Sequence, residues 1–255
     1  MSESLAGRHA IVTGGGTGIG AAIAMALAQA GAQVTITGRR QQPLDTVAAG
    51  HERIAALTCD VTDAAAVRSM LDTATAARGP AGILIANAGA ALSRPFKAMS
   101  AEDIRGMVDV NLVGTFNLWR EGLAGVQRAG DSGRMIAVAS MASLKGYPYV
   151  AGYVAAKHAV LGLVRALSLE LAATGITVNA ICPGFTETPM LAQSVENIVA
   201  KTGRTAAEAQ KALSSGNPQG RFISPDEIAQ TTLWLCSNAA RSVNGQAIAI
   251  SGGET

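Results

Sequence analysis

Tyr153 and Lys157 stand four residues apart in a stretch, 151–173, that reads as a helix. Side chains at i and i+4 share one helix face, so this spacing sets a phenol beside an ammonium. A free tyrosine ionises at about 10, and a neighbouring cation favours its phenolate, which suits the pair to moving a proton near neutral pH. Lowering the phenol by about three units takes on the order of 4 kcal/mol of differential stabilisation. A two-residue pattern also recurs by chance on ordinary helix surfaces, so its meaning depends on what surrounds it.

The glycine run Gly14-x3-Gly18-x-Gly20 follows the apolar segment 8–13 and leads into an alanine-rich helical stretch, 21–30. It lacks the literal GxGxxG spacing, but a strand before and a helix after are the context a dinucleotide loop requires. Gly14 suits the tight turn, Gly18 lets backbone approach a pyrophosphate, and Gly20 lets the helix lie close to the strand; Thr17 and Ile19 fall inside the same loop. The helix start then offers free N–H groups to an anion. A glycine-rich turn without a ligand has the same composition. Further on, Thr37-Gly38-Arg39-Arg40 ends the second strand with no carboxylate to take a ribose 2′-hydroxyl. Arg39 can pair with a 2′-phosphate, which favours NADP(H) over NAD(H), unless it is only a solvated charge. Asp60, at the tip of the third strand, either accepts from an adenine amine or caps the next helix.

The elements that hold these residues alternate along the chain. Strand segments are 8–13, 33–37, 54–59, 83–86, 135–140, 177–181 and 247–251. Helical segments are 21–30, 64–77, a glycine-interrupted 101–129, 151–173 and 225–238. Ser100 with Asp103, and Ser224-Pro225 with Glu227, mark two helix starts. Strands apolar on both faces and separated by helices specify a doubly wound parallel α/β domain of seven strands. Only the polar, alanine-rich segment 188–221 breaks the rhythm, and it is expected to be a helical lid inserted beside the strand ends. The whole of 1–255 is expected to be one dinucleotide-binding catalytic domain.

Composition narrows the partners. Of 255 residues, 49% are hydrophobic and 15% charged, which excludes a disordered chain. A net charge of +2 and 4% aromatics give neither a broad positive field nor stacking platforms, so nucleic acid is not expected. No segment has the length of a membrane span or the layout of a secretion signal. Cys59, Cys182 and Cys236 form no CxxC, and His9, His51 and His158 are scattered, so no disulfide framework or metal site is expected and a cytoplasmic location fits.

Taken together, Thr13, the glycine loop, Asn87-Ala88-Gly89, Asn111, Ser140, Tyr153, Lys157 and Pro183-Gly184 occur in an order and spacing that resembles a short-chain dehydrogenase/reductase over the whole chain. The resemblance implies a Rossmann-like sheet ordered 3-2-1-4-5-6-7 and hydride transfer between a nicotinamide and a carbonyl or alcohol. It implies that Tyr153 protonates the developing alkoxide, Ser140 holds the carbonyl oxygen, Lys157 binds the nicotinamide ribose and acidifies Tyr153, and Asn111 anchors a relay water. It further assigns Ile19, Val61, Asn87, Gly89, Pro183 and Gly184 to the cofactor, with Thr186 and Thr188 holding the carboxamide. Two departures are Ala86, where many members carry a second Asn, and Gly38, in place of the acid of NAD-using members. Thr17 stands where many NADP-using members are basic, leaving Arg39 as the main argument for NADP.

Segments 182–190 and 217–221 are similar to ketoreductases of 3-oxoacyl and polyketide thioesters, which ranks such a thioester first as substrate. Met190, Leu191 and Val195 would cover an acyl chain, while Lys201, Arg204, Lys211 and Arg221 face phosphates or only solvent. A cyclic or other secondary alcohol ranks second, and a nucleotide sensor without turnover is the alternative of another class. Small residues in 101–129 and 151–173 permit close packing between subunits or only against their own sheet; the resemblance favours a homotetramer.

Overall fold

The computed structural model describes residues 4–254. Strands β1 (His9–Thr13), β2 (Gln33–Gly38), β3 (Ile54–Thr58), β4 (Ile83–Ala86), β5 (Arg134–Val138), β6 (Thr177–Pro183) and β7 (Ala247–Ile250) form one parallel sheet in the order β3-β2-β1-β4-β5-β6-β7. The helices are α1 (Gly18–Gln29), α2 (Gln41–Ala48), α3 (Ala64–Arg78), α4 (Ala101–Val108), α5 (Gly114–Ala129), α6 (Ala151–Glu170), α7 (Pro189–Thr202), α8 (Ala206–Ser214) and α9 (Pro225–Leu235).

Alternate strand residues feed two cores. Ala10, Val12, Val34, Ile36, Ile83 and Ile85 point to one face and pack with Ile23 and Leu27 of α1 and Ile228 of α9. Ile11, Leu84, Met135 and Val178 point to the other and pack with Val67 of α3, Trp119 of α5 and Val160 of α6. A strand buried on both sides has no polar face to alternate, which is why these strands read as continuous apolar runs. The connections run outward one way from β1 to β3 and the other way from β4 to β7. The strand order therefore reverses between β1 and β4, where α/β sheets open a crevice at their carboxyl ends.

Two elements differ from the sequence expectation. The short helix α2 was not foreseen: it has Pro43 in its first turn and buries only Leu44, so it carries almost no periodic signal. The long helix 101–129 is three pieces, because a π turn over Asp109–Val113 separates α4 from α5. Asn111 sits in that turn and its Nδ2 donates to the Met107 carbonyl at 2.9 Å, taking over an acceptor of the interrupted ladder. Both expected helix starts form capping boxes, Ser100 with Asp103 and Ser224 with Glu227. Segment 188–221 holds α7 and α8, jointed at Gly203, whose φ of 70° is left-handed.

Candidate active site

A cleft opens at the ends of β1, β4 and β5, with α6 on one side. Gly14, Thr17, Gly18, Ile19, Asn87, Gly89, Asn111, Tyr153, Lys157 and Thr188 all line it. The switch point is tied together by Thr13, whose Oγ1 accepts from the Asn87 and Ala88 amides at 3.0 Å each, while Asn87 Nδ2 donates to the Thr13 carbonyl at 2.9 Å. Gly20 lies outside the cleft and acts by contact. A Cβ there would stand 2.3 Å from the Gly14 carbonyl oxygen and 2.5 Å from Asn87 Nδ2, so only glycine lets α1 approach.

The chemical end of the cleft is built from α6, the β5 end and the π turn. Ser140 follows β5, accepts from the Ala142 amide at 3.0 Å and hydrogen-bonds the Tyr153 hydroxyl. Lys157, 5% exposed, donates to the Val138 carbonyl at 2.9 Å, and its Nζ lies 5.7 Å from the Tyr153 ring centroid. Asn111 donates to the Ala90 carbonyl at 2.9 Å, but its buried Oδ1 has no hydrogen-bond partner. A Cβ on Gly89 would lie 2.8 Å from that oxygen and 3.6 Å from Lys157 Nζ, so the missing side chain leaves a space facing an acceptor and an ammonium.

Burial dominates the electrostatics of the phenol. Burial pushes Tyr153 above its ordinary range, and the Ser140 hydrogen bond only partly offsets this. The ammonium stands over the ring and donates to the Val138 carbonyl, and desolvation is the largest influence on the phenol. Lys157 itself is lowered by burial from 10.5 to about 8. Tyr153 is thereby held as the protonated phenol, the form that donates.

The remaining predicted residues lie around the rim. Pro183 ends β6 and the Gly184 amide pairs with the Ile250 carbonyl at 2.9 Å. Thr186 Oγ1 donates to the Gly184 carbonyl at 3.0 Å, and Thr188 caps α7 by accepting from the Leu191 amide at 3.3 Å. Arg39, Asp60 and Val61 stand past the ends of β2 and β3. Exposed Arg39 acts electrostatically on Asp60, and Val61 is fixed by Asn117 Nδ2, which donates to its carbonyl at 2.9 Å. Asp60 does not cap α3; it closes a turn onto the Thr62 amide and hydroxyl at 2.9 and 2.8 Å, and Asp63 is the cap.

A dinucleotide fits this set. Gly14 and Gly18 have φ of 64° and 53°, conformations that expose backbone N–H groups at the start of α1, and the orphaned Asn111 oxygen awaits a donor. The lid expectation needs revision in detail. Leu191 and Val195 are buried in the fold and only Met190 reaches the cleft. Arg221 forms a bidentate pair with Glu227 at 2.7 and 2.8 Å, and Lys201 Nζ donates to the Ser93 carbonyl at 3.2 Å. Sequence reading missed the π turn, the Gly89 space and Cys182, which is buried beside Lys157 and pushed up to about 11.

Residues 8–199 match the family model for short chain dehydrogenase. The chain belongs to that family. This short-chain dehydrogenase is 35% identical to the 2,5-dichloro-2,5-cyclohexadiene-1,4-diol dehydrogenase of Sphingobium indicum, over 100% of the chain and 99% of the relative. It is also 35% identical to the D-beta-hydroxybutyrate dehydrogenase of Cupriavidus necator, over 98% of each. Among solved structures, a tryptophan variant of the actinorhodin polyketide ketoreductase with NADPH superposes with a TM-score of 0.93 at 32% identity, covering 99% of this chain and 98% of that one. As a short-chain dehydrogenase the chain is an oxidoreductase that interconverts a carbonyl and a secondary alcohol with a nicotinamide dinucleotide.

Proposed function

We propose that this short-chain dehydrogenase reduces a 3-oxoacyl thioester with NADPH, or runs the reverse 3-hydroxyacyl oxidation. The observation that carries it is Tyr153, hydrogen-bonded to Ser140 and lining, with Lys157 and Asn111, the cleft that the glycine loop opens. A bound nicotinamide would supply the hydride to the carbonyl carbon. Ser140 holds the carbonyl oxygen and Tyr153 gives it a proton. Lys157 orients the nicotinamide ribose and, with Asn111, holds the water that returns the proton to Tyr153. Gly14, Thr17, Gly18, Ile19, Asn87 and Gly89 hold the dinucleotide, with Asp60 and Val61 on the adenine side and Pro183, Gly184, Thr186 and Thr188 on the carboxamide side. Helices α7 and α8 close over the substrate as a lid, within a single catalytic domain.

A cyclic secondary alcohol is the second reading, favoured by the likeness to a cyclohexadienediol dehydrogenase. Nicotinamide absorbance with a 3-oxoacyl thioester and a ring ketone separates the two. Tight nucleotide binding with no turnover of any carbonyl would overturn both and favour a sensor.

NADP(H) is preferred over NAD(H) because Arg39 is exposed at the end of β2 with no acid beside it on that strand. Arg39→Ala is expected to weaken NADPH by about 10–100-fold and NADH by less than about threefold, the loss of one charge-assisted phosphate contact. Equal losses in a fluorescence titration would remove the preference.

A homotetramer is supported by the exposed Phe116 of α5 and Leu169 of α6, and by Gly162, where a Cβ would meet nothing within 4 Å. Gly114, Gly122 and Gly125 instead fit α5 onto Val61, Leu84 and Ala81 of its own fold. Light scattering should give four times 25.8 kDa; a monomer mass would contradict the assembly. The three free, buried cysteines fit a cytoplasmic location, and among the described residues no helix is long and apolar enough to cross a membrane.

A further inference from the structure

The segment after β7 returns to the end of β6 and brings a carboxylate with it. Glu254 is 7% exposed, and its Oε1 accepts from the Tyr147 hydroxyl at 2.6 Å and pairs with Lys145 Nζ at 3.1 Å. Bare Cα atoms make room for it on two sides: a Cβ on Gly216, at the end of the α7–α8 segment, would lie 3.3 Å from Oε1, and one on Gly184 would lie 3.6 Å from Oε2. Three stretches distant in sequence therefore meet at one buried carboxylate: the loop before Tyr153, the end of β6, and the end of the lid segment.

The partner it holds stands near the chemistry. Tyr147 is within electrostatic reach of Tyr153, and its ring meets Phe185 edge-on, with centroids 6.4 Å apart at 78°. Phe185, 37% exposed, directly follows Gly184. A hydrogen bond to a buried carboxylate is short and directional, so it fixes the phenol's rotation and with it the ring that Phe185 rests on. Nothing in the proton relay requires Tyr147 or Glu254.

We propose that Glu254 is a positioning residue: by fixing Tyr147 it holds the Tyr147–Phe185 pair as the aromatic wall that aligns the carbonyl compound beside Tyr153. The inference rests on the reductase reading. It assigns the site a preference for substrates that carry an apolar ring or bulky alkyl group next to the carbonyl.

The test is steady-state kinetics with a cyclohexanone-type ketone at saturating NADPH, for the full chain and for Glu254→Ala, Glu254→Gln and Tyr147→Phe. Loss of one charge-assisted hydrogen bond should raise KM by about tenfold in Glu254→Ala and Tyr147→Phe, while kcat falls less than about threefold. Glu254→Gln, whose amide oxygen still accepts from Tyr147, should recover most of the KM. Should Glu254→Ala fail to fold, Tyr147→Phe, which lacks only one hydroxyl, carries the result. An unchanged KM in a folded variant, or a parallel loss of kcat, KM and NADPH affinity as from general loosening, would overturn the proposal. No turnover of either the ring ketone or a 3-oxoacyl thioester by the unaltered chain would remove the reductase reading and this inference with it, whereas turnover with unchanged KM in the variants would remove this inference alone.

Discussion

Replacing Tyr153 with phenylalanine is expected to lower kcat about a thousandfold while the nucleotide Kd stays within about threefold, since general acid catalysis contributes on the order of a hundred- to ten-thousandfold. The ring stays and only the hydroxyl that Ser140 holds is lost. The cleft's glycines and Asn87 do not depend on that hydroxyl, so the binding surface persists. Burial holds the phenol above its ordinary range, so the proposed acid of the reduction already carries its proton. Single-turnover kinetics and a binding titration on the same preparation decide the matter. A variant that keeps more than about a tenth of kcat would show that the proton comes from elsewhere.

Lys157→Met should separate activity from stability. Activity is expected to fall more than about a hundredfold, because the ribose and relay contacts disappear together. Stability should move the other way. The shift of Lys157 from 10.5 to about 8 corresponds to roughly 3 kcal/mol of cost for carrying the ammonium into the fold at pH 7. Methionine has no such cost, but it leaves the Val138 carbonyl without its donor, which takes back about 1–2 kcal/mol. A net gain of about 1–2 kcal/mol is expected at pH 7 in urea unfolding.

The pH dependence has a definite sign. Between about 8 and 10.5 the unfolded chain binds the proton more tightly than the folded one, so wild-type stability rises with pH across that window. The advantage of Lys157→Met should therefore shrink as pH climbs from about 8 to 10.5. A variant no more stable than wild type at pH 7 would mean that the buried ammonium is better compensated than its surroundings indicate.

The doubly wound sheet was legible because β1, β4, β5 and β6 are buried on both faces and so are mostly apolar. The glycine loop and the Tyr153–Lys157 spacing were legible because both are local: one turn of helix and one turn of loop. What stayed hidden depends on contacts across the fold. The π turn at Asn111 leaves no period of its own within a glycine-broken helix. The raised Tyr153 follows from burial, which spacing along α6 cannot reveal. Of the lid's basic residues, Arg221 is engaged by Glu227 and Lys201 by the Ser93 carbonyl, contacts that no local pattern gives away. Glu254 joins Tyr147 across more than a hundred residues, a closure no local pattern announces.

The decisive observation is a crystal structure of the ternary complex with NADP and an unreactive carbonyl analogue. The Tyr153 and Ser140 oxygens should both lie about 2.6–3.2 Å from the carbonyl oxygen, with the carbonyl carbon facing the nicotinamide ring. A carbonyl held away from that hydroxyl, or a Tyr153 turned to solvent with the nucleotide in place, would contradict the assignment of proton donor on which the mechanism stands.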